Sequence, residues 1–298
     1  MKKILFVALM ACVVVGCSKS TSDQTPNSLQ QSGLNGPVKS VDMRTYEATT
    51  YFGEVKKGDL IQNTQTISFT FPVCAGIRYD YNMDGNLIQY TLRDDREQIM
   101  HMQKKEYFQN HLIGGKYFNN RGELEFSWHY DVKNDKPVSK IATIYAYDSY
   151  ESDQRSSMSD TLECTFDGFL AKSTCSKKNG KVISTSENTY EKGLIVYTVN
   201  YDSENNVSSH YEWKRNELGM ITYYGMYDAE KELLGEDLTY DERGFLTHYI
   251  RRDVSPENTD YTVEYLSVDD YGNWTRRVVN KDQMPLYLQE RTILYYEK

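Results

Sequence analysis

The sequence predicts an all-β fold: a long antiparallel up-and-down meander of tandem β-hairpins, forming a curled sheet or two layers. Three observations predict it. Tyrosines number 26 against 6 prolines in 298 residues, and Tyr, Val, Ile and Thr, which suit a pleated and half-buried surface, dominate the periodic segments. Alternation by two is visible directly: Ile195, Tyr197, Val199 and Tyr201 share one face, while Thr198 and Asn200 take the other. The same spacing recurs in Tyr261, Val263 and Tyr265 and in Ile221, Tyr223 and Tyr227. Between these runs stand the dipeptides Asp84-Gly85, Asp167-Gly168 and Asn179-Gly180, which supply the positive φ angles of tight hairpins.

The chain opens differently. Two lysines after Met1 are followed by an apolar run over residues 4–15 and then by Gly16-Cys17, the layout of a secretory signal. The run is too short for a bilayer, which takes roughly 20 residues. Val14-Val15-Gly16-Cys17 resembles the bacterial lipobox, which implies cleavage before Cys17 and acylation of its thiol. Residues 1–16 are then a signal peptide and 17–35 a lipidated flexible tether, rich in Ser, Gln and Asn with little apolar content. Acyl chains at about 0.8 kcal/mol per buried methylene hold a protein on a membrane without a spanning helix. The resemblance implies a cell-envelope location, with Ser18 after the anchor favouring the outer membrane. Residues 36–298 are the repeat domain.

Charge and cysteines narrow the partners. The formal net charge is −9, and loss of Lys2 and Lys3 with the signal takes it to −11. A polyanion offers no footprint for phosphate backbones, so no nucleic-acid partner is expected. Cys74, Cys164 and Cys175 remain, odd in number and without a CxxC, which indicates no disulfide framework. With a two-residue turn at Asp167-Gly168, Cys164 faces Ala171 and not Cys175.

The hairpins keep a beat. Turn centres at Gly168, Gly180, Gly193, Asn205, Gly219, Lys231 and Gly244 are spaced 12, 13, 12, 14, 12 and 13 residues apart. Gly272 lies 28 further on, with room for a turn near Ser255-Pro256. Gly85, Asp95, Asn110, Gly122 and Asp135 keep a looser version upstream. Eight residues of strand and five of turn, roughly, fill such a period. The best helical competitor, residues 97–108, is flanked by turn signals and reads as strand. Some seventeen to twenty strands result, more than the ten or so that a twisted sheet holds without curling or splitting.

Aligned turns expose a motif: residues 81–87 (YNMDGNL), 201–207 (YDSENNV), 227–233 (YDAEKEL) and 240–246 (YDERGFL), with weaker copies at 118–124 (FNNRGEL) and 268–274 (VDDYGNW). An aromatic ends one strand, Asp or Asn opens the turn, Gly sits at its tip, and an aliphatic starts the next strand. The Asp side chain can bond turn amides, and the flanking Tyr and Leu can cover each other. This pattern resembles the YD or RHS-type repeats, in particular the small exported YD-repeat lipoproteins of Bacteroidota. The segments 36–41 (GPVKSV), 271–278 (YGNWTRRV) and 290–293 (ERTI) add to the likeness. Large RHS proteins wrap such repeats into a shell around cargo; this chain is far shorter and shows no cargo domain, which argues against a complete shell.

Dedicated chemistry is hard to find. Residues 80–87 match the opening of an EF-hand loop, but Thr91 stands where a bidentate Glu belongs and no helices flank it. His101, His111, His129, His210 and His248 form no HExxH or other close pair. The acidic pairs Asp94-Asp95, Glu236-Asp237 and Asp269-Asp270 read as turn formers or strand surface rather than a glycosidase dyad. No GxSxG, phosphate-cradling loop or catalytic-type cysteine setting is present. No cofactor and no metal are expected. Trp128, Trp213, Tyr223 and Trp274 are the candidates for an aromatic binding surface; the bland reading is a set of cross-strand ladders. The sequence therefore points to a non-enzymatic, membrane-anchored surface for binding or scaffolding, with a glycan or an envelope protein as partner. The rival readings are a glycan-processing enzyme of the envelope and an RHS-like toxin or assembly accessory.

Overall fold

The computed structural model describes residues 26–62, 71, 73–147, 155–178, 180–229, 231–253 and 259–297. The signal, Cys17 and the turn expected near Ser255-Pro256 lie outside the described residues. One helical turn, α1 (Ser28–Gln31), precedes nineteen strands. These are β1 (Val38–Tyr51), β2 (Glu54–Leu60), β3 (Gly76–Tyr81), β4 (Leu87–Arg93), β5 (Ile99–Phe108), β6 (His111–Phe118) and β7 (Leu124–Lys133). Next come β8 (Lys136–Tyr147), β9 (Arg155–Asp167), β10 (Leu170–Lys178), β11 (Lys181–Glu191), β12 (Leu194–Tyr201) and β13 (Val207–Arg215). The last are β14 (Ile221–Asp228), β15 (Lys231–Tyr240), β16 (Leu246–Asp253), β17 (Thr259–Val268), β18 (Trp274–Lys281) and β19 (Met284–Tyr295).

From β3 to β19 every strand pairs antiparallel with its neighbours in sequence. The 14-residue β1 then closes the ring. Its first half pairs with β3 on one edge, Val41 opposite Tyr79, and with β19 on the other, Val41 opposite Ile293. Strand β2 stands outside the ring as the hairpin partner of the second half of β1. The result is a closed barrel of 18 antiparallel strands. The meander holds; the open curled sheet and the two-layer sheet do not. Closure removes the two unpaired edges that an open sheet would expose at β3 and β19.

The turns share one design. In seven of them the side-chain oxygen of the opening Asn or Asp accepts two backbone N–H bonds, from the residues two and four further on. These are Asn82, Asp94, Asn119, Asp202, Asn216, Asp241 and Asp269, at 2.8–3.1 Å. At the tip, the third residue after the opener is left-handed: Gly85, Gly122, Gly219, Gly244 and Gly272, with Glu97 and Asn205 filling the same place. Gly168, Gly180 and Gly193 take positive φ in shorter turns. The copy at 227–233 is a shorter turn too, with Asp228 opposite Lys231.

A second regularity escaped the alternation rule. After most turns the outgoing strand carries a one-residue bulge: Tyr81 faces Leu87 but Asp80 faces Gln89, and Tyr240 faces Leu246 but Thr239 faces His248. Each bulge inverts the facing of the residues beyond it. Ile195 accordingly points into the barrel while Tyr197, beyond the bulge at Val196, points out. The expectation that residues 195, 197, 199 and 201 share a face fails at that point. The same device sets Cys164 opposite Thr174 rather than Ala171, because the β9–β10 turn is Gly168-Phe169 and Lys172 is bulged.

The inner surface gathers the apolar residues. Leu238, Leu246, Tyr249, Tyr261, Val263 and Val279 pack with Phe71, Val73 and Ala75, three residues between β2 and β3 that occupy part of the lumen. Outward positions carry ion pairs over much of the wall. Asp42 and Glu97 pair with Arg44 and Arg93, Glu106 with Lys116, Glu163 with Lys177, Asp237 with Arg252, and Glu290 with Lys57 and Arg276.

Residues 26–35, expected as the distal part of a flexible tether, instead form a strap across one barrel end. Asn27 caps α1 reciprocally with Gln30. Leu29 N–H donates to the Gly85 carbonyl at 3.1 Å and Asn27 Nδ2 to the Asp84 carbonyl at 2.9 Å. Asn35 exchanges two bonds, 2.8 and 2.9 Å, with the Asn273 side chain. Leu29 and Leu34 are buried with Val38, Val41 and Tyr81, which the polar composition of residues 18–35 conceals.

Candidate functional site

The strap divides the barrel mouth. On one side lies an open vestibule of about 1170 Å³ walled by hairpin turns, including Asn110, Phe169, Lys192 and Leu218. Beneath the strap lies a luminal chamber of about 560 Å³. Gly33 and Leu34 line both and form the partition. The chamber lies within the size range of small-molecule sites. Its wall is aromatic and aliphatic: Tyr79, Tyr81, Trp213, Tyr240, Phe245, Tyr265 and Trp274, with Val41, Met43 and Leu238. Among the described residues, Arg215, Arg277 and Arg291 are the only charged residues that line it, and no carboxylate stands among the lining residues.

The wall is built by a repeated latch. Four strands that return to the strap end, β5, β11, β15 and β17, carry a tyrosine whose hydroxyl donates to the carbonyl just before the bulge of an earlier hairpin. Tyr107 bonds Leu87 at 3.0 Å, Tyr190 bonds Ala171 at 3.0 Å, Tyr240 bonds Ile221 at 2.9 Å and Tyr265 bonds Leu246 at 2.8 Å. A bulge leaves a ladder carbonyl without its regular partner, and the phenol satisfies it. In β13 and β19 the latch is an arginine. Arg215 Nε reaches the Ile195 carbonyl at 3.5 Å and its Nη1 the Gly219 carbonyl at 2.9 Å. Arg291 Nε donates to the Trp274 carbonyl.

Arg277 and Arg291 lie over Trp274, at 4.3 and 3.8 Å from its ring, and Arg277 also approaches the Phe71 ring at 5.1 Å. Arg277 Nε donates to Gln289 Oε1 at 2.7 Å, and Gln289 Nε2 reaches Thr45 Oγ1 at 3.2 Å. Burial, with the neighbouring Arg277 charge, pulls Arg291 down to about 9, and burial lowers Arg215 as well. Burial raises Tyr79, Tyr240 and Tyr81, the last to about 12, so these phenols stay neutral.

The four aromatic candidates do not form one surface. Trp213 and Trp274 line the chamber. Trp128 also points inward, on β7, laid over Gly115 where a Cβ would come within 2.8 Å of its indole nitrogen; it is no part of the chamber lining. Tyr223 is on the outer wall, its hydroxyl 2.6 Å from that of Tyr227, and Tyr227 stacks on His210 at 4.3 Å. The bulge explains the split, because it sends Tyr223 and Tyr224 to opposite sides from those a strict count from Ile221 gives. The arginines went unnoticed in the sequence, yet Arg215 opens residues 215–221 (RNELGMI), an aligned turn in which Arg replaces Tyr.

The other sequence candidates are placed apart. Asn82 and Asp84 form a hairpin turn and Asp80 pairs with Arg78 at 2.8 Å, so the EF-hand likeness is that of a turn. His101 sits between the Tyr90 and Tyr117 rings inside, and His111 stacks on Phe169 at the vestibule. Among the described residues no three His, Cys, Asp or Glu come together as a metal site. Glu236 faces inward opposite Arg251 while Asp237 faces out, and Asp94 and Asp269 are occupied as turn openers.

Fold and site define a class: a closed, strap-covered β-barrel with a charged outer wall and an aromatic, arginine-bearing chamber. No family model matches the chain, and no curated protein matches it. Among solved structures it is similar to a porin-like protein from Bacteroides uniformis, with 10% identity, 87% of this chain and 99% of that one covered, and a TM-score of 0.38. A porin-like protein from Bacteroides vulgatus gives 10% identity, 89% and 100% coverage, and a TM-score of 0.30. The Photorhabdus luminescens Tc holotoxin pore gives 12% identity over 72% of this chain and 16% of that one, with a TM-score of 0.27. At these scores the likeness identifies no family and no activity.

Proposed function

We propose that this chain is a lipid-anchored envelope protein, held at the membrane through Cys17, whose barrel stands in water and binds a small ligand under its strap without catalysis. The charged outer wall carries the reading. A barrel in a bilayer shows lipid an apolar band flanked by aromatic girdles, and an outward Lys or Arg near mid-depth costs about 2–4 kcal/mol. Here ion pairs occupy outward positions on separate parts of the wall: Arg44–Glu97, Lys116–Glu106, Lys177–Glu163, Arg252–Asp237 and Arg276–Glu290. The chamber wall on the inner face is aromatic and aliphatic, and the strap roofs it. Kinship with the YD/RHS-type repeat lipoproteins belongs to the same proposal; the shared turn design supports it.

Outside, Tyr197, His210, Tyr227 and Tyr223 form a continuous row of rings, with centroid spacings of 5.6 and 4.3 Å across His210. Such a row favours contact with a glycan or an envelope protein as a second role of the wall. The test of the main reading is fractionation. Wild type should stay with the membranes and Cys17→Ser should appear in the detergent-free soluble extract. A Cys17→Ser protein that remains in the membrane through alkaline carbonate extraction contradicts it.

A further inference from the structure

We infer that the chamber beneath the strap is a site for an organic anion, a carboxylate or phosphate ester on an aromatic or apolar body, held by Arg277 and Arg291 with Arg215 on the facing wall. The inference rests on the proposed luminal binding and adds the charge and shape of the ligand.

The first support is economy in the repeat. At four strap-end positions the latch to the carbonyl before the bulge is a neutral tyrosine. Two positions that line the chamber use arginine for the same bond. A phenol suffices for that bond, whereas a buried guanidinium carries a desolvation penalty that only a counter-charge offsets. Second, no counter-charge is supplied: among the described residues no carboxylate lies within ion-pair distance of these three arginines, although ion pairs form elsewhere, most of them on the outer wall. Third, two guanidiniums share the Trp274 ring, so like charges are held together inside a protein whose net charge is −9. Guanidinium forks match carboxylate and phosphate oxygens, and Trp213, Tyr265, Trp274 and Phe245 offer flat apolar surface for the remainder of the ligand. Entry is over the strap, where Gly33 and Leu34 separate chamber from vestibule.

The test uses the full-length protein in neutral detergent and four probes: 1-naphthyl phosphate, 1-naphthoate, 1-naphthol and inorganic phosphate. Binding is read by tryptophan quenching and confirmed by calorimetry. The naphthyl anions should bind at least about tenfold more tightly than naphthol, given the strength of charge-assisted hydrogen bonds. Which of the two binds better separates a phosphate from a carboxylate ligand. Arg291→Tyr and Arg215→Tyr restore the residue that the repeat uses and keep the latch, so they fold; each should lose anion affinity by about tenfold and leave naphthol unchanged. Arg277→Gln provides the same reading where no latch is involved. Naphthol binding as tightly as the anions, with the arginine variants unaltered, overturns the anion inference and leaves luminal binding standing. Binding of none of the organic probes overturns both, and binding of inorganic phosphate alone overturns the aromatic body.

Discussion

Removing the Asn273 side chain should loosen the strap at a cost that can be worked from its bonds. Asn273 is fully buried. Its amide accepts from Asn35 N–H at 2.8 Å and donates to the Asn35 carbonyl at 2.9 Å and to the Tyr295 hydroxyl at 2.8 Å. Its own backbone N–H bonds Asp269 and survives substitution, so the turn remains. Three buried hydrogen bonds at about 0.5–1.5 kcal/mol each give a loss on the order of 2–4 kcal/mol for Asn273→Ala. The motif supplies its own control. Asn206 holds the equivalent turn position at the other barrel end, is exposed, and makes one side-chain bond of 3.3 Å to Asp202; Asn206→Ala should cost at most about 0.5 kcal/mol. Urea unfolding measures both. Amide exchange at Leu29 and Leu34, which bond the Gly85 and Leu29 carbonyls, should rise in Asn273→Ala and stay at the wild-type rate in Asn206→Ala. Equal destabilisation by the two variants, or unchanged exchange in the strap, refutes the strap as an anchored element.

The same geometry carries three further outcomes. Arg291, pulled down to about 9 by burial and Arg277, has a charged form that the folded chamber disfavours. That penalty is present below pH 9 and is relieved as the pH rises toward the ordinary guanidinium range. Anion affinity moves the other way, falling above pH 9 by about tenfold in all, the loss expected of Arg291→Tyr, and a titration of 1-naphthyl phosphate binding against pH checks this, with Arg291→Tyr as the flat control. Cys74, whose thiol burial pushes up to about 12, should react with a thiol reagent only on unfolding, while outward-facing Cys175 labels in the native protein; mass spectrometry of labelled peptides distinguishes them. Gly85→Ala should destabilise more than Gly168→Ala, as urea unfolding will show. Both are left-handed, worth about 1–2 kcal/mol for an added Cβ, but only at Gly85 does that atom meet Asn27 at 2.5 Å and Leu29 at 3.1 Å.

What the sequence revealed is what its turns encode locally. An Asp or Asn opener, a glycine tip and a flanking aromatic and aliphatic specify a hairpin by themselves, so the strand beat and residues 99–108 as a strand were legible. Closure was not, because it depends on Val41 meeting both Tyr79 and Ile293, the second contact across nearly the whole chain, and neither leaves a local mark. Facing failed for a different reason. One bulge after a turn reverses inside and outside, so motif residues thirteen apart, Tyr227 and Tyr240, land on opposite sides of the wall. The strap was hidden by composition: two leucines, Leu29 and Leu34, suffice to dock an otherwise polar segment. Arg215 was legible in principle, as a departure from the tyrosine of an aligned motif, whereas Arg277 and Arg291 stand in no aligned copy and left no such mark.

The central claim is that the outer wall meets water and the chamber lies within. Nitroxide labels at outward positions on separate strands, Lys116, Glu163, Glu212 and Asp237, in the full-length protein on lipid vesicles, test it most directly. The account predicts relaxation of all four by a water-soluble nickel complex and little by lipid-dissolved oxygen. A band of positions relaxed chiefly by oxygen would place the wall in the bilayer and contradict it.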